Sequence, residues 1–408
     1  MENILIQGFD AAQALSYSAF TGRVQPSDDR HRLDIEEKER TSSLPWRGQF
    51  SPQLIEYLLA KYCKKGDRIL DPFCGSGTVL REAARGGFNA LGIDVNPAAV
   101  CLAKVSELAG VEPERRWSLV DRIREFCRNL LLFSDDQGVV EAEKAANLFF
   151  SLQLDEQEKI ALEGALLFLF SNSKSIAVSK VTKGVERYLS VAFDSHSSQS
   201  QLKAKIGDAR SVDEANNTFD YLVTSPPYIN VFNYHQNYRP IIEALGHTPL
   251  TAAKSEIGAN RKFRQNRYMT VVQYCMDIAL FFVEASRVLK DQAKITIVLG
   301  RESNIRSVSF KNSELINAIA CEGMGYKLIE WNERKFMNRF GESIYEDVLT
   351  MIPQVYTLDK AVEIGRAVGR QALRNALEYC PVERGEEISE AIASANKIIP
   401  SLLIRNCS

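Results

Sequence analysis

Short apolar segments alternate with stretches of helical spacing in two parts of this sequence. In the first part, "RILDPF" and "NALGIDV" flank a helical stretch at Val79–Arg85. In the second part, "AKIGD", "FDYLVTS" and "KITIVLG" alternate with helical stretches, while the closing "KLIEW" and "DVLTMI" leave no room for a crossover helix. Strands separated by helices pair in parallel, whereas closely connected strands pair antiparallel. The pattern predicts an α/β fold with a seven-stranded, mostly parallel sheet and an antiparallel last strand.

Differences in composition and in the spacing of apolar residues divide the sequence into five segments. Residues 1–45 are polar and charge-dense, which is typical of an arm. Residues 46–110 and 201–355 carry the alternating pattern and are predicted to form one discontinuous catalytic domain. Residues 111–200 lie between them and show helical spacing with few strand signals, which predicts a helical insertion. Residues 356–408 also show helical spacing and are predicted to form a helical C-terminal tail.

Composition limits the classes of function. Hydrophobic residues make up 45% of the chain and charged residues 25%, as in ordinary globular proteins. The net charge of -2 means that a polyanion would have to bind to a local basic patch. The eight cysteines form no CxxC pair, so we expect neither a disulfide framework nor a metal site, and a reducing cytoplasm fits. The densest apolar run, from Ile160, is too short to span a bilayer, so no membrane partner is expected.

The segment "ILDPFCGSGT" is a candidate nucleoside site. A strand that ends in Asp71 is followed by small residues and a helix, which lets the backbone approach a ligand closely. Asp94 ends the next strand, where a carboxylate can accept hydrogen bonds from ribose hydroxyls. Asp208 ends a third strand, where it can accept from an adenine amine. A nicotinamide dinucleotide would want a further glycine soon after Gly77, and none is present, which favours S-adenosyl-L-methionine.

The stretch "TSPPY" places two prolines and a tyrosine directly after a buried strand. Together with "DPFCGSGT" and "GIDVNP", it resembles the class I S-adenosylmethionine-dependent methyltransferases, specifically those that methylate exocyclic amines of DNA bases. The segment "WRGQFSPQLIEYLL" resembles their cofactor-contacting segment. The resemblance covers about residues 45–96 and 203–353. It implies a Rossmann-like domain, S-adenosyl-L-methionine as cofactor, and double-stranded DNA with a flipped target base as substrate.

The resemblance also implies roles for individual residues. The catalytic residues would be Ser225, Pro226, Pro227 and Tyr228. The serine hydroxyl and the first proline carbonyl would accept the amine protons, and the tyrosine ring would stack on the extruded base. The cofactor-binding residues would be Phe50, Asp71, Pro72, Phe73, Cys74, Gly75, Ser76, Gly77, Thr78, Asp94, Val95, Asp208, Ala209 and Thr224.

Basic residues interleaved with aromatic ones follow the "TSPPY" stretch. They suit contact with phosphates and stacking on unpaired bases, although a solvated loop face is equally consistent with the pattern. The predicted nucleic-acid-binding residues are Tyr234, Tyr238, Arg239, Arg261, Lys262, Arg264 and Arg267. The insertion at residues 111–200 is a candidate for target recognition or dimerisation, because no recognition domain is evident in the sequence.

Serine at position 225 favours N4 of cytosine as the methylated atom, because family members with the "TSPPY" form mostly act there. N6 of adenine and RNA remain alternatives with the same chemistry. A non-catalytic nucleic-acid-binding subunit is a third reading, against which the two intact motifs argue. A dehydrogenase is the weakest alternative. The expected setting is the modification component of a restriction or defence system, with a homodimer or a cognate restriction enzyme as open partners.

Overall fold

A computed structural model describes residues 9–16, 30–35, 39, 44–46, 48–193, 200–229, 234–259, 263–337 and 341–404. Its central feature is a seven-stranded sheet. In chain order the strands are β1 (Arg68–Asp71), β2 (Asn89–Asp94), β3 (Leu202–Ile206), β4 (Phe219–Thr224), β5 (Leu289–Gly300), β6 (Lys327–Met337) and β7 (Ser343–Ile352).

The strands lie in the order β6-β7-β5-β4-β1-β2-β3. β2 pairs in parallel with both β1 and β3, and β4 pairs in parallel with β5. β7 runs antiparallel to both β5 and β6, because the connection between β6 and β7 is too short for a crossover. The predicted fold class, with its antiparallel last strand, is confirmed.

The chain divides into two compact units. Unit 1 consists of Met1–Glu37, Asp208–Asn233 and Lys254–Arg405, and unit 2 consists of Lys38–Gly207, Tyr234–Ala253 and Asn406–Ser408. The strands β4 to β7 belong to unit 1, and β1 to β3 belong to unit 2.

In unit 2, three helices accompany β1 and β2, at Pro52–Tyr62, Thr78–Gly86 and Pro97–Lys104. The first begins with Pro52 at its first position, where the missing N–H costs no intrahelical hydrogen bond. Ser51 precedes it, and its side chain makes no capping bond to the helix.

The rest of unit 2 is mainly helical. Its helices span Pro113–Leu131, Ala142–Phe150, Glu156–Phe170, Val178–Ala192 and Arg239–Ala244. The helix from Glu156 is capped by a reciprocal pair of hydrogen bonds between Asp155 and Glu158. Two short strands, Val139–Glu141 and Ser175–Ala177, pair antiparallel in this part of the chain, and the sequence reading missed them.

In unit 1, the helices Met269–Val288 and Leu358–Leu377 are the longest, and Gly385–Ser394 follows near the end of the chain. A shorter helix occupies Asn312–Asn317, and a small hairpin joins Glu302–Ile305 to Val308–Lys311. The helix Pro249–Ser255 lies mostly in unit 2. Among the described residues, Met269–Val288 is the one helix long and apolar enough to cross a membrane. However, 78% of its most apolar stretch is buried inside the protein, as is normal for a core helix.

Candidate active site

Two loops are candidate functional sites, and the first follows β1 in unit 2. β1 ends at Asp71, which is buried, and its Oδ1 atom accepts a hydrogen bond from the Phe73 N–H at 3.3 Å. The Cys74 N–H donates to the Ile93 carbonyl on β2 at 2.9 Å. The loop is therefore tied to both strands through its backbone, which fixes its position above the end of the sheet.

Gly77 forms the junction between this loop and the helix Thr78–Gly86. Its φ angle of 83° is in the left-handed region, and a side-chain carbon there would lie 2.8 Å from the Cα atom of Ala103. Glycine alone satisfies both conditions. The helix that follows presents its unpaired N-terminal N–H groups next to the loop.

Asp94, at the end of β2, holds the loop in place. Its Oδ2 atom accepts a hydrogen bond from the Gly75 N–H at 3.1 Å, and its Oδ1 atom accepts one from the Asn96 N–H at 2.9 Å. A carboxylate has about four acceptor positions. The Asp94 side chain is half-buried at the end of β2, where a carboxylate is suited to accept hydrogen bonds from ribose hydroxyls.

The loop has an acidic environment. Burial raises the pKa of the Cys74 thiol well above its usual value, and the charges of Asp94 and Asp71 raise it further. Negative potential of this kind suits the ammonium and sulfonium groups of S-adenosylmethionine. It does not suit the pyrophosphate of a nicotinamide dinucleotide, since like charges repel.

The second candidate loop follows β4 in unit 1. β4 ends at the fully buried Thr224, and Ser225 and Tyr228 are half-buried. The Ser225 Oγ and Tyr228 Oη atoms lie 3.3 Å apart, within hydrogen-bond distance. The "TSPPY" stretch thus brings two hydroxyl groups together in one compact turn.

The ring of Tyr228 occupies the space where Gly300, the last residue of β5, has no side chain. A side-chain carbon at Gly300 would lie 3.1 Å from the Tyr228 Cε2 atom. A methyl group at this position would press on the ring, which would have to shift by a few tenths of an ångström.

The comparisons with known proteins bear on these two loops. A family model described as DNA methylase, of the N6/N4 type, matches residues 10–105. Residues 10–105 are therefore similar to the N4/N6 DNA methylases. The resemblance to the DNA amino-methyltransferases is thereby confirmed, and the matched segment contains Asp71, the glycine loop and Asp94. It ends well before Ser225.

Curated relatives of the chain are type II DNA methyltransferases. M.MjaII of Methanocaldococcus jannaschii is 36% identical over 117 residues, which are 27% of this chain and 22% of the relative. M.BsoBI of Geobacillus stearothermophilus is 24% identical over 258 residues, covering 48% of this chain and 51% of the relative. The chain thus spans about half, or less, of the length of these methyltransferases.

Among solved structures, a SAM-dependent methyltransferase from Methanosarcina mazei is similar to the chain. It is 13% identical with a TM-score of 0.35, and the match covers 73% of this chain and 98% of that one. A TM-score of this size is too low to bear on fold or function.

The cofactor that this methylase family uses, S-adenosyl-L-methionine, agrees with the cofactor predicted from the sequence. The remaining predicted cofactor residues differ in exposure. In unit 2, the buried ones are Pro72, Ser76 and Thr78, and the half-buried ones are Phe50, Phe73 and Val95. In unit 1, Ala209 and Thr224 are buried.

Asp208, predicted to accept an adenine amine, is held by a buried arginine. Its Oδ1 atom accepts from the Arg210 N–H at 3.0 Å and from Arg210 Nε at 2.8 Å. Its Oδ2 atom accepts from Arg210 Nη2 at 2.7 Å and from the Ile404 N–H at 3.2 Å. These four bonds use about all the acceptor positions of a carboxylate. A bond to an adenine amine would have to displace one of them, and the contact to Ile404 is the longest.

A stack of three aromatic rings lies beside the glycine loop in unit 2. The Trp46 ring is nearly parallel to Tyr234 and Tyr238, with centroids 6.3 and 6.0 Å away. A side-chain carbon at Gly75 would lie 3.0 Å from Trp46 Nε1, and the Asn96 side chain donates to the Tyr234 carbonyl at 2.9 Å. The stack therefore contacts the glycine loop through Trp46 and is linked to the end of β2 through the hydrogen bond between Asn96 and Tyr234.

The same stack bears on two residues predicted to bind nucleic acid. The Tyr238 ring is 2% exposed and its hydroxyl donates to the Pro45 carbonyl, which leaves no free ring face for an unpaired base. Tyr234 is half-buried against Trp46. The structure therefore brings both tyrosines to the cofactor loop, which the sequence pattern did not indicate.

The predicted basic residues are dispersed. Arg239, in unit 2, pairs with Glu243 one helical turn away at 2.7 Å. Arg264 is exposed and Arg267 is half-buried in unit 1. Arg261 and Lys262 lie outside the described residues.

Sequence reasoning missed Asn96, Arg210 and Arg334. Asn96 links Asp94 to Tyr234, and the only available signal was its position before the proline of "NP". Arg210 follows Asp208 by two residues in "GDAR", a spacing that allows a local salt bridge. Arg334 is buried on β6, and no sequence pattern distinguishes it from a surface arginine of a hairpin.

Proposed function

We propose that this chain transfers a methyl group from S-adenosyl-L-methionine to an exocyclic amine of DNA, specifically N4 of cytosine. The observation that carries the proposal is the arrangement after β4. Ser225 and Tyr228 present hydroxyls 3.3 Å apart, and the tyrosine ring lies against Gly300. The methylase-type glycine loop, with its acceptor Asp94, supports the same proposal.

The chain's own residues have defined tasks in this reaction. The amine nitrogen of cytosine is a poor nucleophile, because its lone pair is delocalised into the ring. Ser225 Oγ and the Pro226 carbonyl accept the two N–H protons, which favours a tetrahedral nitrogen and restores the lone pair. The Tyr228 ring stacks on the base once it has left the duplex.

The cofactor supplies an electrophilic methyl group. The nitrogen forms a bond to the methyl carbon while the bond from this carbon to sulfur breaks, which leaves S-adenosylhomocysteine. The methylated amine is acidic and loses its proton to solvent. The protein therefore needs acceptors and a stacking surface at this site, and no strong general base.

The cofactor site fits this chemistry on structural grounds. Asp94 ends β2, where a carboxylate can accept from a ribose, and the acidic surroundings of Cys74 suit a cationic ligand. The residues that would hold the cofactor are Asp71, Gly75, Gly77 and Asp94. Trp46 would form a wall beside them.

The same proposal includes the biological role and the location of the protein. Curated relatives are type II methyltransferases, which supports a role in a restriction-modification system. The seven cysteines in the described residues are free thiols, which supports the cytoplasmic location expected from the sequence. N6 of adenine is the second candidate, because the same acceptors would serve that amine.

The test is a methyl-transfer assay. The purified chain is incubated with methyl-labelled S-adenosylmethionine and either unmethylated DNA or RNA, and the nucleosides are separated by mass spectrometry. We expect N4-methylcytosine in DNA. Formation of N6-methyladenine would show that adenine is the substrate, and a product found in RNA alone would show that RNA is the substrate. The absence of any labelled nucleoside would overturn the proposal. Ser389→Ala, at an exposed helical serine, is the control for a Ser225→Ala variant.

A further inference from the structure

Arg334 on β6 is a buried guanidinium without adequate partners. The residue is 2% exposed. Its Nε atom lies 3.6 Å from Glu346 Oε2, beyond hydrogen-bond distance, and no acceptor for this N–H is found among the described residues. The guanidinium also lies over the Phe336 ring, 4.8 Å from its centroid. An ion pair and a ring contact therefore stabilise its charge, but its Nε–H donor is unused.

Burial of this kind is costly. Burial lowers the pKa of Arg334, and the negative charges of Glu346, Asp34 and Tyr228 in its ionised form oppose this effect. Burial also disfavours the charged form of its partner Glu346, because it raises the pKa of that carboxyl group. A buried charged group that lacks hydrogen bonds destabilises a fold, so its presence calls for an explanation. A ligand that accepts the unused hydrogen bonds would provide one.

The sheet places Arg334 beside the catalytic loop. Gly300, Glu346 and Arg334 are direct partners across β5, β7 and β6. Residues paired directly across neighbouring strands project from the same face of a sheet. The open space at Gly300 on this face is filled by the Tyr228 ring. One strand, β7, therefore lies between Arg334 and Gly300, against which the Tyr228 ring is placed, and these residues share one face of unit 1.

From this arrangement we propose that Arg334 is a specificity-determining residue that donates hydrogen bonds to the acceptor edge of the base stacked on Tyr228. This inference rests on the proposed function. The acceptor edge in question is a pyrimidine carbonyl with its neighbouring ring nitrogen, as in O2 and N3 of cytosine. Adenine has no carbonyl oxygen to offer.

The charges around Arg334 favour a neutral acceptor over a phosphate. Glu346 is adjacent, and Asp34 and Asp347 also carry carboxylates in this part of unit 1. A phosphate would bring a further negative charge among them, which costs free energy by like-charge repulsion. A carbonyl oxygen can accept the same N–H groups without that penalty.

The test is a comparison of two duplexes. The site that the wild-type chain methylates is first located, and duplexes are made with either the target base or an abasic residue at that position. Affinities are measured for the wild type, for Arg334→Met, and for the control Lys335→Met. Lys335 is the exposed neighbour on β6 and projects from the opposite face.

We expect Arg334→Met to weaken binding to the duplex with the target base by roughly 10- to 100-fold, as for loss of a hydrogen bond from a charged group. Binding to the abasic duplex and to S-adenosylhomocysteine should not change, and Lys335→Met should resemble the wild type on both duplexes. If the wild type methylates no DNA base, the proposed function itself fails, which is a separate result.

Two outcomes would overturn the role of Arg334. An equal loss on both duplexes would identify a phosphate or purely structural contact, and unchanged affinity on both would exclude a contact with the base. Should Arg334→Met be too unstable to purify, Arg334→Lys provides the same comparison. It keeps the charge but loses the planar fork of donors, so the preference for the base should again fall.

Discussion

Arg210 and Asp277 form an ion pair of 2.7 Å between two side chains that are wholly buried. Arg210 also pairs with Asp208 at 2.7 Å and donates to the Ser401 and Leu402 carbonyls near the end of the chain. Although burial opposes ionisation, the bonds to Asp208 and the charge of Asp277 raise the pKa of this guanidinium. One arginine thus joins Asp208, the helix Met269–Val288 and the C-terminal segment of unit 1.

Arg210→Met should therefore destabilise the protein strongly. Removing one partner leaves Asp208 and Asp277 as uncompensated buried charges, which costs about 3–5 kcal/mol. Urea unfolding measures the change in the free energy of unfolding. Arg239→Met removes an exposed pair one helical turn apart and should cost no more than about 0.5 kcal/mol. Equal effects of the two substitutions would contradict this account of Arg210.

Asp94→Ala should weaken cofactor binding. The ribose loses a charged acceptor, and the Gly75 and Asn96 N–H groups lose the atom that positions them. We expect a loss of about 1.5–3 kcal/mol in the free energy of S-adenosylhomocysteine binding, measured by calorimetry. Asp208→Asn should affect stability more than affinity, because Arg210 already uses that carboxylate. An unchanged affinity of Asp94→Ala for S-adenosylhomocysteine would contradict the assignment of Asp94 as the ribose acceptor.

Ser225→Ala should reduce turnover and leave cofactor affinity unchanged. The serine contact strengthens only as the amine nitrogen becomes tetrahedral, so its loss affects the transition state. We expect a decrease of about two orders of magnitude in kcat, as for removal of one oxyanion-type partner. Tyr228→Phe keeps the ring face and should retain most of the activity. Wild-type rates of methyl transfer in both Ser225→Ala and Tyr228→Ala would show that this loop has only a structural role.

Gly300→Ala should misplace the tyrosine without changing any polar group. The added methyl would lie 3.1 Å from Tyr228 Cε2 and would push the ring from its place. Small displacements of a substrate-positioning group reduce catalysis by about tenfold to a hundredfold, and we expect kcat/KM for methyl transfer to fall accordingly. Gly385→Ala is the control, since no atom lies within 4 Å of its new side-chain carbon. Full activity in Gly300→Ala would show that the ring position is not critical.

Glu163 should make stability depend on pH. It is buried in unit 2 and accepts from the Cys101 thiol at 3.8 Å, and burial raises its pKa above 4.5, although Lys159 and Lys104 oppose the shift. Because the folded-state pKa is the higher one, the stabilising contribution is complete below the unfolded pKa and is lost as pH rises through the folded pKa.

Glu163→Gln cannot ionise, so its stability relative to the wild type should increase with pH across that window. Thermal unfolding from about pH 4 to pH 8 measures the difference between the two proteins. Glu156→Gln, on the same helix but with a 71% exposed side chain, should show no such trend. A constant difference between Glu163→Gln and the wild type would mean that the carboxyl group does not titrate in this range.

The sequence by itself determined the elements whose signals are local. Strand, glycine loop and helix follow one another at Arg68–Gly86, and the antiparallel hairpin of β6 and β7 follows from its short connection. The positions of Asp71, Asp94 and Ser225 at strand ends could be predicted for the same reason. Each depends on residues that are close in the chain, where apolar spacing and glycine geometry act directly.

Only the tertiary structure decided which distant residues meet. The strand pair Val139–Glu141 and Ser175–Ala177 has three residues a side, too few for a pattern, and forms because the folded chain aligns them. Tyr238, which looked like a surface aromatic, is buried in the stack with Trp46. Asp208 accepts hydrogen bonds from Arg210 and from Ile404 in the C-terminal segment, and Arg334 is buried beside Glu346. Burial and ion pairing depend on the packing of segments far apart in the chain, which no local pattern of residues encodes.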